Sequence, residues 1–168
     1  RARASEMEHA LRYHIRQNID KDPVYYKTLS ERLEEILKEL KDQWDKLTRQ
    51  LEEFIKEVVA GRQEDETGLA PKTQAPFYDM LCHTLVGKDK PTEEQQQKLI
   101  DLTIELVEHI KQEIRRVNFW NNVNAQEVLR SDIFERMDDV DLFPFDKLEA
   151  TADKLVELAK RNRHYLEN

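Results

Sequence analysis

Between Leu33 and Val58 the residues Leu33, Leu37, Leu40, Trp44, Leu47, Leu51, Phe54 and Val58 alternate four- and three-residue steps without a miss. That is a heptad seam, an apolar stripe along one side of a helix that needs a partner helix to cover it. A chain with such a stripe folds by packing helices side by side. The faces between are dense in Glu and Lys, including Glu34 with Lys38 and Glu52 with Lys56 at the spacing that supports a solvated helix surface. Asp22 followed by Pro23 marks the start, an N-cap with proline at the first helical position. Gly61 marks the stop. Unbroken from Pro23 to Ala60, this helix would be about 57 Å long at a rise of 1.5 Å per residue.

The rest of the chain reads the same way. A first helix from about Ala4 to Ile19 sets Met7, Leu11, Ile15 and Ile19 on one stripe. Residues 62–75 are polar, hold Gly68 and Pro71, and read as a flexible linker. A short helix begins near Pro76 with Phe77, Leu81 and Leu85 inward. Thr92 and Gln95 make a capping box, and a second long helix follows with Leu99, Leu106, Ile110, Ile114 and Val117 on its seam. Its period is close to that of the first long helix, so the two are expected to pack antiparallel. Asn118 to Asn122 interrupts it, and a helix carrying Val128, Leu129, Ile133, Phe134 and Met137 comes next. After the apolar elbow Leu142-Phe143-Pro144-Phe145, with Asp146 as cap, the last helix carries Leu148, Leu155, Leu158 and Ala159. No stretch alternates like a strand. The expected fold is all-α: one elongated helical bundle over residues 1–168.

Composition narrows the function classes. Charged residues make up 37% of the chain, against about 25% in an ordinary domain, and only 3 Gly and 5 Pro occur among 168 residues. The formal net charge of -8 disfavours a general affinity for nucleic-acid backbones. Cys82 is the only cysteine, which excludes an internal disulfide and fits a reducing, cytoplasmic compartment. No apolar run reaches the roughly 18 residues of a membrane span, and the polar first ten residues do not form a signal peptide. With no initiator Met and a helix pattern starting almost at once, the chain reads as a piece cut from something longer.

Candidate chemistry is thin. A di-metal carboxylate bundle needs two Glu-x-x-His pairs and two further glutamates facing inward; Glu6 with His9 supplies one pair, and His109 has no glutamate three residues before it. Glu39-Leu40-Lys41 has the Glu-x-Lys form of many magnesium-dependent nucleases, but residues two apart on a helix do not converge on one ion. Cys82 and His83 point about 100° apart on a helix and make no dyad. The three glycines are isolated, so no phosphate loop is present. No catalytic residue, cofactor site or metal site is therefore expected.

What remains is surface. Tyr25, Tyr26, Phe119, Trp120, Phe143 and Phe145 sit at helix ends, off the seams, and are candidates for partner contact because aromatics dominate interface hot spots. The competing reading is that they plug the local core. Arg12 and Arg16 on the first helix, with Lys160, Arg161 and Arg163 near the end of the last, are candidates for contact with a DNA backbone. For the second group the alternative is complementation of a helix C-terminus.

Four phrases occur in order: Asp22-Pro23-Val24-Tyr25-Tyr26-Lys27-Thr28-Leu29-Ser30-Glu31-Arg32-Leu33, Ala75-Pro76-Phe77-Tyr78-Asp79, the run from Val117 to Gln126, and Leu142-Phe143-Pro144-Phe145-Asp146-Lys147. Together they resemble the C-terminal helical region of the restriction (R, or motor) subunit of type I restriction-modification enzymes. The resemblance covers nearly the whole chain. It implies a parent subunit that is an ATP-dependent DNA translocase and endonuclease requiring Mg2+. Its nuclease and motor lobes would lie upstream, and its helical region would join it to the modification (methyltransferase) core. None of the parent's functional residues has a matching position here. The implied role is a non-catalytic assembly domain with no cofactor of its own, meeting DNA only through the complex. The alternatives are a stand-alone scaffold, a dimer paired through the Leu33 to Val58 seam, and the di-metal bundle.

Overall fold

A computed structural model describes all 168 residues. The chain is all-helical, with eight α-helices, two single 3-10 turns and no strand. It divides into two compact units, Arg1–Gln63 and Glu64–Asn168, where the sequence reads as one domain. Each has its own hydrophobic core.

The first unit is three helices, α1 (Ala2–Asn18), α2 (Pro23–Glu39) and α3 (Trp44–Ala60). The expected single helix from Pro23 to Ala60 is therefore two. Leu40 closes α2, its N–H donating to the Ile36 carbonyl at 3.1 Å, and the chain turns through residues 40–43. Asp42 takes a left-handed φ of 66°, a conformation that aspartate tolerates better than most residues. The turn is the short loop of a helical hairpin.

The seam is thus covered from within its own unit. Leu29 and Leu33 of α2 share one core with Leu47, Leu51, Phe54 and Val58 of α3, and Ala4, Leu11 and Ile15 of α1 complete it. Its partners within the unit are α1 and α2. Leu40 and Leu37 are only partly buried at this core, and Trp44 is 37% exposed. Asp22 sits at the N-cap of α2 as the sequence predicts, yet its side chain does not cap. Its carboxylate accepts two hydrogen bonds from Arg62, at 2.7 and 2.9 Å, beyond the end of α3.

The second unit holds α4 (Ala75–Val86), α5 (Glu93–Ile114), α6 (Val123–Asp139), α7 (Leu148–Arg161) and the single turn α8 (Arg163–Leu166). α7 packs on α6 and α4, and α5 packs on α4 and α6. Its core includes Phe77, Leu81, Leu99, Leu106, Ile133 and Leu155. The capping box forms: the Gln95 N–H donates to the Thr92 hydroxyl at 3.1 Å, and the Thr92 N–H donates to the Gln95 side chain at 2.9 Å. Asn122 caps α6 by accepting from the Ala125 N–H at 3.0 Å.

Three expectations fail in detail. Val117 lies past the end of α5 and is 89% exposed, because Asn118 turns the chain with a left-handed φ of 58°. Val128 is half exposed, on the side of α6 away from Leu129, Ile133 and Met137. Asp146 does not cap α7; it falls inside the 3-10 turn Phe145–Lys147, which runs straight into the helix. The stretch 62–75 spans the boundary of the units and is tied down within each. Arg62 is held by Asp22, Leu69 is buried in the second core, and Gln74 accepts the Ala70 N–H at 2.8 Å.

Candidate contact surfaces

The six aromatic candidates have different fates. Tyr25 and Tyr26, on the first turn of α2, meet edge to face at 5.1 Å and pack against the first core. The Arg62 guanidinium lies 4.7 Å from the Tyr25 ring centre, and burial pushes the Tyr25 hydroxyl above its usual pKa. With Asp22 they form a clamp that joins the start of α2 to the exit of α3. Phe119 is buried and Trp120 partly so, edge to face at 4.7 Å, plugging the end of α5 and the start of α6. The Trp120 indole nitrogen is buried without an acceptor. Phe143 also packs partly on the second core. Phe145 is 71% exposed, edge-on to Phe134 at 5.9 Å. Of the six, only Phe145 stands in solvent.

The basic candidates divide likewise. Arg12 is flanked by Glu34 at 2.6 Å and Glu8 at 3.0 Å, which raise its pKa in that order. Arg161 pairs with Glu157 at 2.9 Å within α7. Arg16, Lys160 and Arg163 are exposed and carry no ion pair. Only these three remain as free cations for an anionic backbone. Beside Lys160 and Arg163, Tyr165 is covered by His164 at 4.1 Å between ring centres and by the Lys72 ammonium at 5.1 Å.

The residues weighed for catalysis do not converge. Glu6 and His9 are exposed on α1, and no group of three or more His, Cys, Asp or Glu side chains is arranged to hold a metal ion. His109 instead hydrogen-bonds Asp132 at 2.8 Å, one rung of a ladder between α5 and α6 whose other rung is Glu105 with Arg136 at 3.2 Å. The Cys82 thiol is half-buried, and burial, then Asp79, raise its pKa, with Tyr78 opposing. A raised thiol is a poor nucleophile. Glu39 and Lys41 are exposed at the end of α2, with Leu40 between them turned toward the core. No helix is long and apolar enough to cross a membrane.

Sequence reasoning missed the setting of Phe145. Glu135, Asp138, Asp139, Asp141 and Asp146 surround it along the chain, all exposed and none in an ion pair. The signal was present in the acidic run from 135 to 141, hidden in a chain acidic throughout. The Arg62 clamp was invisible for another reason, since forty residues separate its two charges. No protein-family model, curated protein or solved structure matches this chain.

Proposed function

We propose that this chain is a non-catalytic helical assembly domain that docks a larger subunit onto a protein partner. On the resemblance of its four phrases, that subunit is the motor subunit of a type I restriction enzyme and the partner its modification core. The parent would use ATP and Mg2+ in lobes outside this chain, act on DNA, and work in the cytoplasm. The observation that carries the reading is the division among the end aromatics. Five of them close a core or clamp a helix end, while Phe145 stands in solvent on a braced turn. Aromatic residues, Phe among them, are enriched at protein interfaces relative to the rest of the surface.

The test is co-elution of the chain with purified modification subunit on a sizing column. A joint peak is expected, and two separate peaks at high concentration overturn the reading. Of the alternatives, a dimer through the Leu33 to Val58 seam requires α1 to leave a core in which Leu11 and Ile15 already cover that seam. A concentration-independent mass by light scattering is therefore expected for the isolated chain.

A further inference from the structure

We infer that the elbow between α6 and α7 is a docking knob for a cationic protein surface with an apolar cleft. The inference deepens the assembly reading, on which it rests for the class of partner. Phe145 is the only exposed Phe, Tyr or Trp between Glu64 and Asn168. It does not hang on a loose loop. The 3-10 turn Phe145–Lys147 is closed by the Lys147 N–H donating to the Pro144 carbonyl at 3.0 Å. Behind it the ring stands edge-on to Phe134, which packs on the core. An aromatic held in this way has two torsions and a braced backbone, so burying it in a partner costs little conformational entropy.

The rim states the chemistry of that partner. Between 135 and 147 the chain carries five exposed carboxylates without a cation: Glu135, Asp138, Asp139, Asp141 and Asp146. The basic residues of the same segment are Arg136, already bonded to Glu105, and Lys147. Elsewhere in the unit Glu113, Glu127 and Glu157 each hold an arginine, and exposed carboxylates without a cation, such as Glu93 and Glu108, have no exposed aromatic beside them in the chain. The elbow is thus the place where an aromatic anchor coincides with uncompensated negative charge. Such a rim repels phosphate backbones and anionic lipid, and it is matched by lysine and arginine around an apolar pocket. An apolar centre inside a polar rim is also the usual anatomy of a protein interface.

The test uses the full chain, isotope-labelled, titrated with an amphipathic lysine/leucine peptide and followed by NMR amide shifts. The largest shifts are expected at residues 134–147. Phe145→Ala weakens binding at least tenfold, and a triple Asp138→Asn, Asp139→Asn, Asp141→Asn variant weakens it with a shallower salt dependence. Phe145 is exposed, so its alanine variant keeps the wild-type circular dichroism. Shifts spread evenly over the acidic surface would overturn the inference. So would equal binding of a lysine/serine peptide of the same charge, since the ring would then have no part. Two outcomes with purified modification subunit separate this inference from the reading beneath it. Undiminished co-elution of Phe145→Ala removes the elbow and leaves the assembly role. Wild-type chain that ignores the modification subunit, while the lysine/leucine peptide still maps to the elbow, keeps the surface and removes the named partner.

Discussion

The unit Arg1–Gln63 carries 13 acidic and 13 basic residues, whereas Glu64–Asn168 carries 22 and 14, so the second holds the whole formal charge of -8. Their cores differ as well: nine buried apolar residues in the first and twenty in the second. The first unit joins its helices through charge. Arg3 pairs with Glu52 between α1 and α3, Arg12 with Glu34 between α1 and α2, Arg32 with Glu57 between α2 and α3, and Arg62 with Asp22 at the end. The second has ion pairs across helices as well, His109 with Asp132, Arg136 with Glu105 and Arg130 with Asp153, but sets them on a core more than twice as large. A unit of 63 residues buries a smaller fraction of its surface than a larger one. It therefore depends more on what clamps its helices. The larger core tolerates an unbalanced surface, and that tolerance leaves acid free for contact.

The sharpest way to break this contrast is at the clamp. Asp22 and Arg62 have side chains only 9% and 12% exposed, and removing one partner of a buried pair leaves the other charged and unpaired. Arg62→Ala is expected to lower the stability of the first unit by about 3 kcal/mol. Each unit has one tryptophan, Trp44 and Trp120. Denaturant melts in a Trp120→Phe background therefore read the first unit. A loss below about 0.5 kcal/mol would mean that the pair behaves as an ordinary surface bridge, and the contrast would lose its main support.

The next effect belongs to the second unit. Burial, helped by Cys82, pushes the Tyr78 hydroxyl from its ordinary 10 up to about 12. Below pH 10 the group is protonated in both folded and unfolded chain, so stability is unaffected. Between pH 10 and 12 the unfolded chain loses the proton while the folded one keeps it. Stability then falls as pH rises, by on the order of 2 kcal/mol. Tyr78→Phe removes that part of the slope. Trp120 fluorescence melts at pH 9.5 and 11.5 measure it, and identical slopes for both proteins would show that the hydroxyl is solvated.

Helix ends set the units apart on a smaller scale. None of α1, α2 or α3 has a side-chain cap, whereas in the second unit α5 and α6 do and α4, α7 and α8 do not. Thr92→Ala is expected to cost the second unit about 1 kcal/mol, read by amide exchange over the first turn of α5. Protection unchanged at residues 93–96 would mean that the capping box is ornamental.

These differences were unequally legible in the sequence. Helix type followed from the seam, and the Thr92-Gln95 box followed from local spacing. The hairpin did not, because Leu37, Leu40, Trp44 and Leu47 keep the same three- and four-residue steps through the turn. A helix that continues and a helix that folds back present the same stripe. The one local sign was Asp42, and without glycine or proline beside it that sign is weak. Leu69 shows the converse: a single leucine in a polar stretch, read as linker, is buried in the second core. Among the aromatics, Phe119 and Phe145 look alike in sequence, yet one is 2% exposed and the other 71%. Burial depends on what the rest of the chain brings to a helix end.

Salt distinguishes the two units by sign. In the first, exposed opposite charges attract across helices, and each such pair contributes about 0–1 kcal/mol that salt screens. In the second, the excess of eight negative charges repels itself, and screening relieves that. The screening length falls from about 10 Å at 0.1 M to about 3 Å at 1 M, so exposed pairs and long-range repulsion both weaken, while the Asp22–Arg62 clamp is largely protected by burial. Raising sodium chloride from 0.1 to 1 M is therefore expected to lower the Trp44 melting temperature and raise that of Trp120, each by the equivalent of about 0.5 kcal/mol. The Asp138→Asn, Asp139→Asn, Asp141→Asn variant flattens the second response and leaves the first alone. If both units move in the same direction, salt acts through apolar burial in each, and the distribution of charge does not govern their stability.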